Sequence, residues 1–277
     1  MNEPDAGIKN SSEKPPAPGI DITVAHAARV YDYWLGGKDN FAADRALGDA
    51  MIQAIPSLPE MARANRAFLA RAVQYLVEEA GVRQFLDIGT GIPTAGNVHE
   101  VAQDIAPESR VLYVDHDPIV LTHARALMTS TPQGRTEFMM ADIREPGAIL
   151  AAPELAKTLD LEQPVALMLV AILMYFHDDE GVYEWVATLV DALPSGSYVT
   201  ITHPTGDFNP PAMRGAVTAA AHAGITLVPR SKAQVERFFE GLEIVEPGVV
   251  PVLAWQPDEL IDDPEGAWYW AGIARKP

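Results

Sequence analysis

Arg83-Gln-Phe-Leu-Asp-Ile-Gly-Thr-Gly-Ile-Pro-Thr94 is the stretch that decides how this chain folds. Arg83 to Ile88 is a short apolar run ending in an acid, the pattern of a strand buried on both faces of a parallel sheet. Gly89 and Gly91 interrupt the run, and a helical pattern starting near Pro93 predicts a helix to about Ile105. Strand, glycine turn and helix in that order make a cradle for a nucleotide-like ligand. Glycine lets backbone approach ligand because it carries no Cβ. The start of a helix offers N–H groups with no partner of their own. Two familiar cradles do not fit. Thr94 stands where the dinucleotide pattern G-x-G-x-x-G needs its third glycine, and no G-K-[ST] tripeptide follows as a P-loop requires.

Working outward, composition removes several classes of function. The 20 basic and 38 acidic residues leave a net charge of −18, which repels phosphate backbones and argues against a nucleic-acid partner. Cysteine is absent, so disulfides, thiolate metal sites and a cysteine nucleophile are excluded. The longest uncharged apolar run, Pro164 to Phe176, has 13 residues and is too short to span a bilayer. The first residues lack the basic-then-apolar layout of a secretory leader, so the expectation is a cytoplasmic protein without a membrane partner. No spacing of His, Asp and Glu reads as a metal site.

The chain divides into a loose tail (1–19), a helical lid (20–60) and an α/β domain (61–277). In the lid, a helix over Ala25–Leu35 is stopped by Gly36-Gly37, and a second runs from Ala42 to Ile55. Aromatic residues surround that Gly-Gly pair, as a hinged cover would need, and Tyr33 and Asn40 are the lid residues expected to meet substrate. Met61–Glu79 carries an apolar stripe at helical spacing and ends at Gly81. Arg110–Asp115 is a second buried strand, and Asp117-Pro118 should open a helix reaching about Met128. Asp115 lies 26 residues beyond Gly89, near the spacing of about 20 at which a strand-tip acid accepts from the two hydroxyls of a ribose. Further strands are expected over Thr136–Asp142, Pro164–Val170 and Ser197–His203, with a helix from Asp178 or Asp179 to Leu193. Helices at Ala212–Ala223 and Ser231–Phe239 precede strands at Leu242–Pro247 and Trp268–Arg275. The proline-containing span Gly248–Ala267 reads as a substrate-side loop or as an edge cover. Ligands of open α/β sheets sit where strand order reverses, which places Ala171, Ile172, Met174, Tyr175, Phe176 and His177 around the site. His177 and His203 are the candidate catalytic bases.

The runs Tyr31-Asp-Tyr-Trp-Leu-Gly-Gly-Lys-Asp-Asn-Phe41, Phe85–Thr94, Gly96-Asn-Val-His-Glu-Val-Ala102 and Val114-Asp-His-Asp-Pro118 resemble a bacterial S-adenosylmethionine-dependent methyltransferase-like family of unassigned substrate. The resemblance covers nearly the whole chain after about residue 20. It implies a class I methyltransferase-like doubly wound, mostly parallel seven-stranded sheet with a terminal antiparallel strand and an N-terminal helical cap. It implies S-adenosylmethionine as cofactor and methyl transfer to a small-molecule acceptor. The cofactor-binding set it implies is Asp87, Gly89, Gly91, Thr94, Asp115, His116, Asp142, Ile143 and Ala171. Within that set Asp142 would accept from an adenine amino group, and Ile143 would pack on or donate to the ring. Pro93 stands where the family often has a third glycine. The same motifs suit a protein that binds S-adenosylmethionine as a sensor or partner-binding module without catalysis. An NAD-dependent oxidoreductase fits less well, because Thr94 replaces the third glycine and no Tyr-x-x-x-Lys appears.

Overall fold

In a computed structural model, which describes residues 21–118, 120, 124, 129–257 and 261–277, five parallel strands form the centre of the sheet. β1 (Gln84–Ile88) is flanked on one side by β2 (Arg110–Asp115) and then β3 (Arg135–Met140). On the other side come β4 (Ala166–Val170) and β5 (Tyr198–Pro204). β8 (Tyr269–Arg275) runs antiparallel to β5, and the two-residue strands β6 (Glu243–Ile244) and β7 (Val250–Pro251) both pair with it. The order β3-β2-β1-β4-β5-β8-β6, with β7 also on β8, makes eight strands. That is one more than expected, since two residues leave no alternation to detect. Strand order reverses between β1 and β4, which opens the crevice in which such sheets hold ligands.

Alternation along the strands divides the interior into two layers. Phe85, Val111 and Tyr113 face one cluster, while Leu86, Ile88, Leu112 and Val114 face the other. The first cluster packs under α3 (Leu58–Glu78), which buries Met61, Asn65, Phe68, Leu69, Ala72 and Leu76 along one stripe. The span Gly248–Ala267, where described, is an edge cover. Trp255 is fully buried edge-on to Phe68 (5.4 Å) and Tyr75 (5.7 Å), and Arg71 donates to the carbonyls of Val252 and Trp255.

The helix expected over Ser231–Phe239 is an α-helix over Lys232–Glu236 followed by a 3₁₀ turn at Arg237–Phe239, and the strand expected over Leu242–Pro247 keeps only Glu243–Ile244; three other boundaries move for a local reason. The helix after the glycine turn, α4 (Val98–Ile105), starts five residues after Pro93. Gly89, Gly91 and Gly96 all adopt positive φ (78°, 67° and 74°), so the chain cannot wind into a right-handed helix before Asn97. There the Glu100 carboxylate accepts from Asn97 N at 2.8 Å and fixes the start. The helix expected from Asp178 to Leu193 is split. A 3₁₀ turn at Asp178–Glu180 ends at Gly181 (φ 96°), and the α-helix occupies Val182–Ala192. β3 stops at Met140, leaving Asp142 in the following turn. The tail 1–19 and most of the helix expected after Asp117-Pro118 lie outside the described residues.

The N-terminal helices α1 (Ala27–Trp34) and α2 (Ala42–Ala54) pack on each other and on α3, and α2 also packs on the helix Pro210–His222. Buried Asp44 ties them together by accepting from His26 N, Phe41 N and Arg29 Nε, each at 2.8 Å. The Gly36-Gly37 pair is a tight turn rather than a free hinge. It wraps around Asp32, whose Oδ2 accepts from Asp39 N (3.0 Å) and Asn40 Nδ2 (2.8 Å). A Cβ at Gly37 would lie 1.9 Å from Asp32 Oδ1, so only glycine fits.

Candidate active site

Beneath α1, at the carboxyl ends of β1, β2 and β4, lies a cavity of about 540 Å³. Its floor is the glycine turn. Gly89 N donates to Val114 O at 2.8 Å, which pins the turn to the end of β2. Ile172, just past β4, packs so closely that a Cβ on Gly89 would meet its Cγ1 at 2.5 Å. Ala171 makes this approach possible by adopting φ 55°, a left-handed conformation unusual for a residue with a Cβ. Gly91, in contrast, faces open space.

Asp115 is brought to this turn by the end of β2. Its Oδ2 accepts from Gly91 N at 2.9 Å and its Oδ1 from Asp117 N at 2.9 Å. A carboxylate offers about four lone-pair directions, so each oxygen can still accept from a ligand hydroxyl. Asp87, at the end of β1, borders the same cavity. Among the described residues its carboxylate has neither a hydrogen bond nor an ion pair. Burial raises its pKa to about 7; the Arg66 guanidinium opposes that rise and the Asp115 charge adds to it.

Three buried polar atoms on residues lining this cavity find no partner among the described residues: His26 Nδ1, Asn65 Oδ1 and Thr94 Oγ1. Buried polar atoms are nearly always bonded; the other exceptions among the described residues, Thr200 Oγ1, Thr202 Oγ1 and Trp255 Nε1, belong to residues that do not line this cavity. The cover over the cavity comes from α1, which contributes Ala27, Ala28, Tyr31, Asp32 and Leu35. Just before it, His26 Nε2 sits 3.2 Å from Asp117 Oδ2 and links the cover to the end of β2. Burial lowers the His26 pKa, and the nearby Asp117 carboxylate pulls the other way.

The residues named from sequence divide into three groups. Asp87, Gly89, Gly91, Thr94, Asp115, His116 and Ala171 all line the main cavity. Asp142 and Ile143 line a shallow annex of about 50 Å³ that shares Gly89, Asp115, His116, Ile172 and Phe176 with it. Asp142 is not a free acceptor there, because Arg144 binds both its oxygens through Nε, Nη2 and the backbone N. That side-chain pairing with Arg144 also lowers the Asp142 pKa.

The remaining four stand elsewhere. Tyr33 points off the cavity and donates to Asp49 at 2.7 Å; Tyr31, on the opposite side of α1, takes its place. Asn40 is buried in the turn around Asp32 and also bonds Gly37 O and Arg45. His177 is exposed at the start of the 3₁₀ turn. His203 is fully buried with Nε2 2.7 Å from Arg230 Nη1 and Nδ1 3.0 Å from Pro204 O. Desolvation, with the Arg230 charge adding to it, drives its pKa down to about 3, so it stays neutral and cannot exchange protons with a cavity ligand. Of the residues expected after β4, Ile172, Tyr175 and Phe176 reach the cavity, while Met174 is packed into the core.

Sequence reasoning passed over Asn65 and Arg66. Both belong to α3, whose apolar stripe reads as core. Their polar ends reach the cavity where the stripe passes under the glycine turn. Among the described residues, no group of three or more His, Asp or Glu could hold a metal ion, and no helix is long and apolar enough to cross a membrane.

Residues 13–277 match the protein family described as S-adenosyl methyltransferase. Among solved structures the chain is similar to a DUF574 family protein from Streptomyces avermitilis. The two are 49% identical over 92% of this chain and 98% of that one, with a TM-score of 0.88. A putative methyltransferase from Thermobifida fusca is 44% identical over 94% of this chain and 98% of its own, with a TM-score of 0.86. A SAM-dependent methyltransferase from Anabaena variabilis shares the fold at 12% identity, covering 95% of this chain and 100% of its own (TM-score 0.50). No curated protein matches the chain.

Proposed function

The chain belongs to the S-adenosyl methyltransferase family, and from that premise we propose that it transfers a methyl group from S-adenosylmethionine to a small-molecule acceptor held under α1. The observation that carries this reading is the bond from Gly91 N to Asp115 Oδ2, which aims a strand-tip carboxylate into the crevice between β1 and β4. A cavity of about 540 Å³ falls within the range of small-molecule sites, roughly 300–1,000 Å³.

S-adenosylmethionine supplies a methyl group already activated on a sulfonium. The protein therefore has to orient and dehydrate more than to shuttle protons. In this reading Asp115 accepts from the ribose hydroxyls with the lone pairs that Gly91 and Asp117 leave free. Gly91 gives the ligand an open approach to the backbone, and Ala171 and Ile172 set the wall beside the turn. Asp142 and Ile143 border the adenine end, with Arg144 holding Asp142 in place. Asp87 supplies negative charge for a cationic ligand. Tyr31, Leu35, Tyr175 and Phe176 offer the acceptor an aromatic and apolar surface from which water is excluded. His26, bonded across to Asp117, keeps α1 closed over both. An acceptor that must lose a proton would find Asp87 and His26 at the cavity wall, since His177 and His203 do not reach it.

Titration calorimetry with S-adenosylmethionine and S-adenosylhomocysteine tests the reading. Both should bind, and Asp115→Ala should weaken them by about 100-fold, the loss of two charge-assisted hydrogen bonds. Labelled methyl transfer to one member of a metabolite library should then identify the acceptor. A wild-type protein that binds neither ligand would remove the assignment.

A further inference from the structure

Val114, Ile143, Ile172 and Phe176 line the shallow annex with apolar surface, and Asp142 and Arg144 line it with a charged pair. Such a slot suits a flat ring with polar groups on its edge. Asp115 borders the annex too, but the two carboxylates differ in what they have left to accept. Each Asp115 oxygen takes one backbone N–H, from Gly91 or from Asp117. Each Asp142 oxygen takes two contacts from Arg144. Oδ1 accepts from the backbone N (2.9 Å) and Nε (3.0 Å), and Oδ2 accepts from the same Nε (3.0 Å) and from Nη2. A carboxylate has about four lone-pair directions, so Asp142 is saturated where Asp115 is not. Among the described residues Nη1 of Arg144 makes no hydrogen bond, so the unused capacity of the pair is that of a donor.

We propose that Arg144 sets the nucleobase selectivity of the donor site by keeping Asp142 occupied, so that the 6-amino group of the base goes unread and the ring is held by its fit to the apolar walls. The inference rests on the reading of the main cavity as a site for S-adenosylmethionine with its adenine end at the annex. A purine amino group recruits Asp142 only by displacing a guanidinium bound through a charge-assisted fork, and a single neutral N–H is the weaker partner. The pair is closed between residues two apart in the chain, and the Arg144 backbone N–H holds the same carboxylate, so little further ordering is needed to keep it. A site that makes no hydrogen bond to a substrate group has no means of rejecting an analogue that lacks that group.

The probes are S-adenosylhomocysteine and its analogue in which hydrogen replaces the 6-amino group, leaving the ring nitrogens, ribose and amino-acid end unchanged. Calorimetry on the wild type should show no more than about a threefold preference for S-adenosylhomocysteine. In Arg144→Ala the freed Asp142 should accept from the amino group and create a preference of about 10- to 100-fold. Adding Asp142→Ala should abolish that new preference. The wild-type comparison needs no variant, and the Arg144 side chain is exposed, so its removal should leave the fold intact. A larger preference in the wild type would overturn the inference. So would an Arg144→Ala protein that gains no such preference, or one that keeps it without Asp142. Failure of the wild type to bind either probe would instead fall on the methyl-donor reading itself.

Discussion

Replacing Asp87 by Asn should make the ligand-free protein more stable while impairing its ligand binding. Asp87 is 7% exposed, and its carboxylate has no bonding partner among the described residues. Its pKa rises from 3.8 to about 7, chiefly through burial. Between those two values the folded state holds a proton that the unfolded chain has released, so stability falls as pH rises through the window. A shift of about 3 units at about 1.36 kcal/mol per unit sets an upper bound near 4 kcal/mol, reached above pH 7. The group borders a cavity rather than solid core, so about half of that, roughly 2 kcal/mol, is the expected gain on neutralisation. For a chain of this size that raises the melting temperature by about 3–4 °C at pH 8. At pH 5 the wild-type carboxyl is already protonated in the folded state, and the gain should shrink to less than half. Melting curves of both proteins by circular dichroism from pH 5 to pH 8 give the comparison. An Asp87→Asn protein that melts at or below wild type at pH 8, or a gain that does not vary with pH, would refute the argument. The same variant should lose at least about tenfold in affinity for S-adenosylhomocysteine, because neutral Asn attracts an ammonium less strongly than a carboxylate does.

Two further outcomes follow from the packing. Gly89→Ala should cost about 2–4 kcal/mol, since the new Cβ meets Ile172 at 2.5 Å and the residue sits at φ 78°. Adding Ile172→Ala removes Cγ1 and Cδ1 but leaves the Cβ of that residue 2.8 Å from the new methyl, so it should restore only part of the loss, which a double-mutant cycle in urea would measure. Arg230→Met should cost about 3–5 kcal/mol. The buried guanidinium serves the carbonyls of Leu173 and Phe176, His203 Nε2 and the Asp178 carboxylate, and methionine removes all four contacts. A lower urea midpoint at constant slope is the expected signature.

Much of the architecture could be read from local pattern. The five parallel strands, the glycine turn and the acids at the ends of β1 and β2 each announce themselves within a few residues. Burial on both faces demands continuous apolar runs, and a turn through positive φ favours glycine. The same locality explains the boundary errors. Pro93 suits a first helical turn, but nothing nearby says that Gly96 holds the chain out of helical geometry until the Asn97 cap.

The site was less accessible from sequence. Tyr31 and Tyr33 are both aromatic and two positions apart, which on a helix is about 200° of rotation, so only docking onto α3 decides which faces the cavity. Asn40 reads as an exposed loop residue until the turn closes around Asp32. His177 and His203 follow their strands in sequence as catalytic bases would. One nevertheless projects into solvent, and the other is sealed against Arg230 more than twenty residues later in the chain. Arg66 and the orphaned oxygen of Asn65 belong to a helix whose pattern reads as core. The sequence alone thus determined the order of the strands' chemistry and the bend between them, because those depend on neighbours along the chain. Which side chains share the cavity was decided only by the tertiary structure, because that depends on how far each helix rotates and slides before its apolar face is buried.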